Sequence, residues 1–453
     1  MKILHYFLGF PPYRSGGLTV FCVNLMETQV RLGHTVMGMW PGKMNLLGKR
    51  PSIKKVKAHE QIQSYELINP LPVSLDEGII DVKRFTYPCD RNIYINFLKS
   101  VKPDLIHIHT LMGLHKEFVD AAEQLHIKTV LTTHDYFGIC PIVTLFRDNH
   151  CCVNDFGCSA CANCCKNALS IKKIILMQSP LYRTLKEFFW VKRLRAKHRS
   201  AFYEEKDEEQ PVHSKLSGNR TRDYQKLRQY YIRMLEKVDV IHFNSTVARD
   251  VYQRYLTPRK SYVISISNKE IRDQRNTKTI SSDKIRLTYL SPIRANKGYY
   301  IIRKALDDLW NAGRRDFQLT VYGNVHDVPA YMRVAGEQYE RSELKHIMEN
   351  TDVLLAPSIW YETFGFTVLE ALSFGVPVIV SDRVGAKDIV GKGGIVIASD
   401  SVSALEDSIS SLSKKSIMEM KNQITDTVQI KDWKHFVAEF ETFIDEQLNL
   451  TWH

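Results

Sequence analysis

The chain has 453 residues, a formal net charge of +12, nine cysteines and ordinary apolar content. A chain of this length forms two or three domains with sizeable cores, and no apolar run reaches the length that spans a bilayer. The charge favours an anionic partner such as a membrane surface, a nucleic acid or a phosphorylated substrate. The stretch MKILHYFLGFPPYRSGG runs into Pro and Gly without a small-residue cleavage site, which makes it a first strand and the protein cytoplasmic.

In chain order, Lys2–Leu8 is a predicted strand, Pro11–Gly17 a turn, Leu18–Leu32 a helix stopped by Gly33, and His34–Met39 the next strand. This βαβ opening puts Gly16 and Gly17 where strand passes to helix. A backbone without side chains there approaches a ligand, or simply makes a tight turn. Residues 40–100 hold scattered short strands and no chemistry. DLIHIH (Asp104–His109) and TVLTTH (Thr129–His134) are buried strands ending in histidine, the second followed by Asp135. Polar residues at the carboxyl ends of strands in an open sheet are where such folds build sites. A satisfied interior histidine is the plain alternative. Of His107 and His109, alternation and position favour His109 for the cleft.

Seven of the nine cysteines lie between Cys140 and Cys165. Cys158, Cys161 and Cys164 have metal-ligand spacing, and in a reducing compartment this favours a metal over disulfides. Four thiolates, with Cys151 as the fourth, suit a structural zinc. An iron–sulfur cluster is the second choice, and free or redox-labile thiols the alternative. Lys166–Ser200 is basic with hydrophobic interleaving, and Glu187 is its only acid. Such helices suit an anionic membrane surface or pack an amphipathic face on a core. No nucleic-acid reader motif is present. Residues 204–223 form a polar, mobile loop, Val238–Asn244 a strand and Ser245–Tyr255 a helix.

A second domain opens with the strand Ile285–Leu290 and the helix Tyr299–Ala312. Arg294 and Lys297 stand between them, placed to neutralise a diphosphate leaving group. Leu319–Gly323 ends in a glycine that permits close approach of a nucleotide, and Tyr339–Met348 is a helix. Then comes DVLLAPSIWYETFGFTVLEALSFGVPVIVSD, Asp352–Asp382. Asp352–Ala356 is a buried strand, Thr363 the N-cap of a helix Phe364–Phe374, Gly375 its stop, and Val378–Val380 a second strand. The helix start is an anion site, with Phe364 and Gly365 at its mouth. Glu362 and Glu370 flank it and are placed to accept hydrogen bonds from sugar hydroxyls. These features describe a nucleotide-sugar pocket. Trp433–Gln447 is a final amphipathic helix.

The run E-T-F-G-F-T-V-L-E-A-L-S-F-G-V-P-V-I, with P-P-x-x-G-G, D-x-x-H-x-H, T-x-H-D and K-G elsewhere, resembles the retaining glycosyltransferases of family 4. The resemblance implies two doubly wound α/β, Rossmann-like domains facing across a cleft, the GT-B arrangement. Its divisions are an acceptor-side domain 1–266 with an insertion at about 140–235, a donor domain 267–430, and a helix 431–453 crossing back. It further implies His109 beside the transferred sugar, His134 and Asp135 in the acceptor cleft, and Glu362 and Lys297 in catalysis. Gly16, Gly17, Arg294, Gly323, Phe364, Gly365 and Glu370 would line the donor. The family's arginine falls on Pro292, so Arg294 is only a substitute for it. The implied partners are a nucleotide-diphosphate sugar and a lipid-linked glycan at the inner membrane face, in lipopolysaccharide or capsule assembly. No catalytic metal is expected, because cations and a helix start serve instead. A nucleotide-sugar epimerase of the same fold and a non-catalytic, metal-stapled binder are the competing readings.

Overall fold

The computed structural model describes residues 1–14, 16–45, 50–74, 78–147, 150–185, 188–191, 193, 218–275 and 282–448. The first sheet is built from β1 (Lys2–Tyr6), β2 (Thr35–Pro41), β3 (Ser52–His59), β4 (Ile62–Ile68), β5 (Leu105–Ile108) and β6 (Lys128–Thr132). After a separate two-stranded ribbon, β7 (Phe146–Arg147) with β8 (His150–Cys151), it gains β9 (Val240–Phe243) and β10 (Ser261–Val263). Its order is β10-β9-β6-β5-β1-β2-β4-β3, and every pairing is parallel except β3 with β4. The sequence-based expectation missed that antiparallel edge. β3 carries Lys54, Lys55 and Lys57 on a largely solvated strand, which suits an edge that must not recruit another chain.

The second sheet contains β11 (Ile285–Tyr289), β12 (Phe317–Tyr322), β13 (Met332–Gly336), β14 (Val353–Ala356), β15 (Val378–Ser381) and β16 (Gly394–Ile397). Its order is β13-β12-β11-β14-β15-β16, parallel throughout. Fully buried apolar runs such as Val353–Ala356 and Val378–Ser381 are what a sheet covered on both faces requires. The strand order reverses between β1 and β5 in one sheet and between β11 and β14 in the other. These switch points are where open parallel sheets bind ligands.

The helix Trp433–Leu448 leaves the second domain and lies on the first. Trp433 donates from Nε1 to Thr28 Oγ1 at 2.9 Å, and Glu441 Oε2 lies 3.0 Å from His34 Nε2. Phe440 packs on the rings of His107 and His242, 5.3 and 5.0 Å away. One apolar cluster runs from Ile3, Leu105 and Val240 through Phe436 and Phe440 to Leu354 and Val378, joining the two domains. Residues 218–223, expected in a mobile loop, instead open the long helix Gly218–Lys237. The rest of that stretch, 204–217, and much of the basic segment beyond 193 lie outside the described residues.

Beneath the crossing helix the first sheet buries a row of histidines. His5 Nε2 bonds Gln29 Oε1 at 2.8 Å, and His107 Nε2 bonds Thr132 Oγ1, also at 2.8 Å. Thr132 Oγ1 in turn meets His242 Nδ1 at 3.1 Å, while His107 Nδ1 has no partner. Burial lowers His5 to about 3 and His242 to about 4, so both are neutral in the fold. An unfolded histidine takes its proton near pH 6.5. Stability is therefore intact above that pH and drains away as pH falls from about 6.5 towards 4. At pH 5.5 the loss is about 1.4 kcal/mol for each such residue. Urea unfolding at pH 7.5 and 5.5 should accordingly show a drop of several kcal/mol, and equal stability at the two values would contradict a neutral histidine core.

Candidate active site

At the β11/β14 switch point two loops are drawn together. The Tyr289 hydroxyl, rising from β11, donates to Pro292 O at 2.7 Å and shapes the first loop. Ile359 N, from the loop after β14, donates to Asn296 O at 3.0 Å. Gly298 has φ +79°, and a Cβ there would lie 2.0 Å from Pro357 O, so only glycine fits. This contact brings Lys297 Nζ to 2.7 Å from Glu362 Oε1 and 5.0 Å from the centre of the Trp360 ring. Ser358 Oγ donates to the other oxygen, Glu362 Oε2, at 2.9 Å. The carboxylate is thus fixed from both sides at the mouth of the switch point.

The following helix runs from Phe366 to Ser373, with Gly365 (φ +101°) before it and no side-chain cap. The expected cap, Thr363, does something else: its hydroxyl donates to His134 O at 3.1 Å, across to the first domain. Left uncapped, the first-turn N–H groups remain available to an anion. Phe364 is buried against Phe366 and so forms a wall behind the helix start. Glu370 is 4% exposed. Its carboxylate pairs with Arg341 Nη2 at 3.1 Å, and Arg341 also binds Glu270. Burial raises the Glu370 pKa and Arg341 opposes the rise. Nothing in the sequence marked Arg341, because its partner lies 29 positions away on a different element. Arg294 stands immediately before the short helical turn Ala295–Lys297. Gly323 (φ +146°) also accommodates Ile293, whose Cγ1 would sit 2.4 Å from a Cβ there.

Facing this edge, Gly16 (φ +119°) and Gly17 have open space where their side chains would be. His109 lies just past β5 and is 2% exposed. Its Nε2 is 3.0 Å from His5 Nδ1 and its Nδ1 is 3.3 Å from His134 Nε2. Both nitrogens therefore point into the histidine row rather than the cleft. His109 follows the strand that carries His107 and their rings lie 4.0 Å apart, so alternation does not separate them. His134 and Asp135 are half-buried and lie directly opposite Thr363. Burial pushes the Asp135 carboxyl up to about 6, against a 2.8 Å bond from Phe137 N–H. Two further links cross the gap. Ser245 Oγ donates to Thr363 O at 2.6 Å, and Asp388 accepts from both Thr246 N and Thr246 Oγ1 at 2.6 Å. Asp388 thereby caps a helix of the other domain.

The expected metal set Cys151, Cys158, Cys161 and Cys164 is not assembled. Cys151 Sγ is turned to Ile359 O, 3.1 Å away, beside Arg383. Among the described residues, three metal-ligating atoms converge within 4.8 Å only at His5/His107/His109 and Cys22/His109/His134. All nine cysteines are free thiols, with Cys140 beside Cys152 and Cys158 beside Cys161.

Residues 270–429 match the family described as "Glycosyl transferases group 1". The chain is a glycosyltransferase. The matched segment takes in Lys297, Glu362 and Glu370, the residues that the β11/β14 edge gathers. Over its whole length this glycosyltransferase has the fold of several solved structures. One is a sucrose-phosphate synthase from Thermosynechococcus elongatus, at 12% identity and TM-score 0.53, covering 99% of this chain and 100% of that one. A second is HepE of Anabaena in complex with UDP and glucose, at 12% identity and TM-score 0.54, covering 98% and 99%. A third is a glycosyltransferase from Rickettsia africae, at 13% identity and TM-score 0.54, covering 99% of each. At such identities the likeness establishes the GT-B fold. No curated protein matches the sequence.

The Arg341–Glu370 pair gives this glycosyltransferase a measurable signature. Arg341→Ala leaves a buried carboxylate without its cation. Arg341 is half exposed, so the expected cost is only about 1 kcal/mol at pH 8. At pH 5 the cost should shrink, because the raised pKa of Glu370 lets the carboxyl take up a proton. Urea unfolding of the variant at the two pH values measures this, and a cost that grows on acidification would contradict the pairing.

Proposed function

We propose that the chain transfers a sugar from a nucleoside diphosphate onto a hydroxyl of a lipid-linked glycan, with retention of the anomeric configuration. The observation that carries this is the Lys297–Glu362 pair beside an uncapped helix start at a switch point. A diphosphate on that helix start draws Lys297 to itself, and Glu362 then accepts a hydrogen bond from the transferred sugar. Glu370 exchanges Arg341 for the ribose hydroxyls. HepE, solved with UDP-glucose, is a donor-bound protein of this fold, which supports a sugar nucleotide as the donor.

In the front-face step, the acceptor oxygen bonds to the anomeric carbon on the side that the diphosphate leaves. The acceptor proton passes to a donor phosphate oxygen and departs with the nucleoside diphosphate. Lys297 and the helix start stabilise the charge that grows on the leaving group. His134 and Asp135 line the acceptor side. His109, with both nitrogens bonded inward, positions His134 from behind. Calorimetry against uridine, guanosine and adenosine diphosphate sugars should find one base bound, with Glu370→Gln weakening it at least tenfold. Unchanged affinity in that variant sinks the assignment of the pocket. Proton NMR of the product then reads the anomeric outcome, and inversion would overturn retention.

The acceptor class rests on the surface that follows the cysteines. Leu176, Leu181, Phe188, Phe189 and Trp190 are 55–77% exposed, with Lys172 and Lys173 exposed on the same segment. Among the described residues no helix is long and apolar enough to cross a membrane. Bare aromatics beside lysines suit the surface of an anionic bilayer, which supports a peripheral enzyme at the cytoplasmic face. Flotation with vesicles of phosphatidylglycerol and phosphatidylethanolamine should carry the protein up, and Phe189→Ser with Trp190→Ser should reduce this several-fold. Equal recovery of the variant would remove this surface from the reading.

A further inference from the structure

Two clusters of metal-ligating groups lie next to each other behind the acceptor side, and glycosyl transfer makes no use of either as a ligand set. Among the described residues, one nitrogen from each of His5, His107 and His109 lies within 4.8 Å of the others. So do the thiol of Cys22 and one nitrogen from each of His109 and His134. The second cluster joins three elements. Cys22 stands on the helix Gly17–Arg31, His109 just past β5 and His134 just past β6. Cys22 is a free thiol, fully buried. Its neighbour Phe21 meets the His134 ring edge-on at 5.0 Å and the His109 ring at 6.2 Å, and so walls the group on one side.

The hydrogen bonds of the histidine row fix which nitrogen of His109 carries its proton. A carbonyl oxygen only accepts, so His5 Nε2 donates to Gln29 Oε1 and His5 Nδ1 keeps a lone pair. That lone pair takes the N–H of His109 Nε2 at 3.0 Å. His109 Nδ1 is then left with a lone pair on the side of His134, whose Nε2 is 3.3 Å away. Histidines that hold metals donate their other ring N–H to a fixed acceptor, which orients the ring and raises its basicity. His109 has that arrangement, with Gln29 holding His5 in turn. Nitrogens bound to a tetrahedral zinc at about 2.0–2.1 Å stand about 3.3 Å apart, which is the separation found here. Burial keeps both rings neutral, lowering His134 to about 3 and His109 well below the usual value, so both can offer a lone pair at neutral pH.

We propose that Cys22, His109 and His134 bind a zinc ion and leave its fourth position open. Burial pushes the Cys22 thiol up, so without an ion it stays protonated. Binding takes that proton: the thiol, two neutral imidazoles and Zn²⁺ give a thiolate complex of net charge +1 and one H⁺, and no electron moves. The proton between His109 and His134 shifts to His134 Nδ1, which frees His134 Nε2 for the metal. One sulfur and two imidazole nitrogens are a ligand set that zinc accepts. The thiolate separates this group from His5, His107 and His109, where a divalent ion would be buried among neutral rings with no anion to offset it. Access separates them too. His134 is half-buried, whereas His5 and His107 are fully buried beneath the crossing helix. A zinc with three protein ligands can take a water or a ligand oxygen as its fourth. Because His134 lines the acceptor side, an ion here withdraws its Nε2 from that side and sets a Lewis acid one residue from Asp135.

The test counts metal, and its outcome does not depend on the sugar-transfer reading. The full chain is saturated with zinc under reducing conditions, freed of excess by gel filtration and compared with Cys22→Ala and His134→Ala. Each variant should carry about one zinc fewer than the wild type. Cysteines outside the group contribute equally to all three proteins and cancel in the difference. Should one variant unfold, the other still reads the loss. With cobalt in place of zinc, the wild type minus Cys22→Ala should show thiolate-to-cobalt charge-transfer absorption. Equal zinc in the wild type and Cys22→Ala overturns the site, as does a cobalt spectrum with no band that depends on Cys22. Zinc kept by Cys22→Ala but lost by His107→Leu also overturns it, since the ion would then belong to the neighbouring histidines.

Discussion

Between β11 and β14 two loops leave the sheet on opposite courses, and they meet where Gly298 lies against the carbonyl of Pro357. A single methyl group at that point would collide with a backbone oxygen. The contact fixes how far Lys297 stands from Glu362, and so how much positive and negative charge the mouth of the sheet presents. It also sets the height of Trp360, whose ring lies beside the Lys297 ammonium. Side chains as long as lysine and glutamate are poor rulers by themselves, since each loses rotamer freedom on being fixed. Here the ruler is the backbone, and the ion pair reports its setting.

The same stretch serves the domain boundary. Glu362 belongs to the β11/β14 edge, while its neighbour Thr363 bonds both ways across the gap, giving its hydroxyl to His134 O and its carbonyl to Ser245. Asp388 adds a charged cap to the first domain's helix Thr246–Gln253. A ligand that moves Glu362 therefore acts one peptide away from the links that set the approach of the two sheets. Cys151, reaching Ile359 from the cysteine-bearing insertion, adds a third point of contact to the same loop.

The parallel sheets were legible in the sequence because strands covered on both faces must be apolar throughout, as VLLA of β14 is. The β11/β14 edge was legible because Lys297, Glu362 and Glu370 lie close to glycines that mark turns. Other features were hidden for physical reasons. Thr363 has the residue type of an N-cap, but tertiary contacts across the gap outbid the local bond. The inward direction of His109 depends on His5 from β1 and His134 from beyond the end of β6. Gly323 has a packing role against Ile293 that the sequence does not show. The C-x-x-C-x-x-C spacing did not bring its sulfurs together as a ligand set, because Cys151 is drawn to Ile359 of another loop.

The helix Trp433–Leu448 has a consequence for biosynthesis. It covers His107 and His242 on the first sheet, yet it follows every strand of both sheets in the chain. During vectorial synthesis the first domain emerges early, with one face of its core bare. Its histidines stay wet, and its apolar face unpaired, until the second domain has been made and the helix has swung back. Domains that fold as independent units can close as they leave the ribosome, whereas this one must wait. Its amino-terminal half is thus an obligate client of its own carboxyl-terminal segment, exposed to chaperones and proteases for the whole interval between the two.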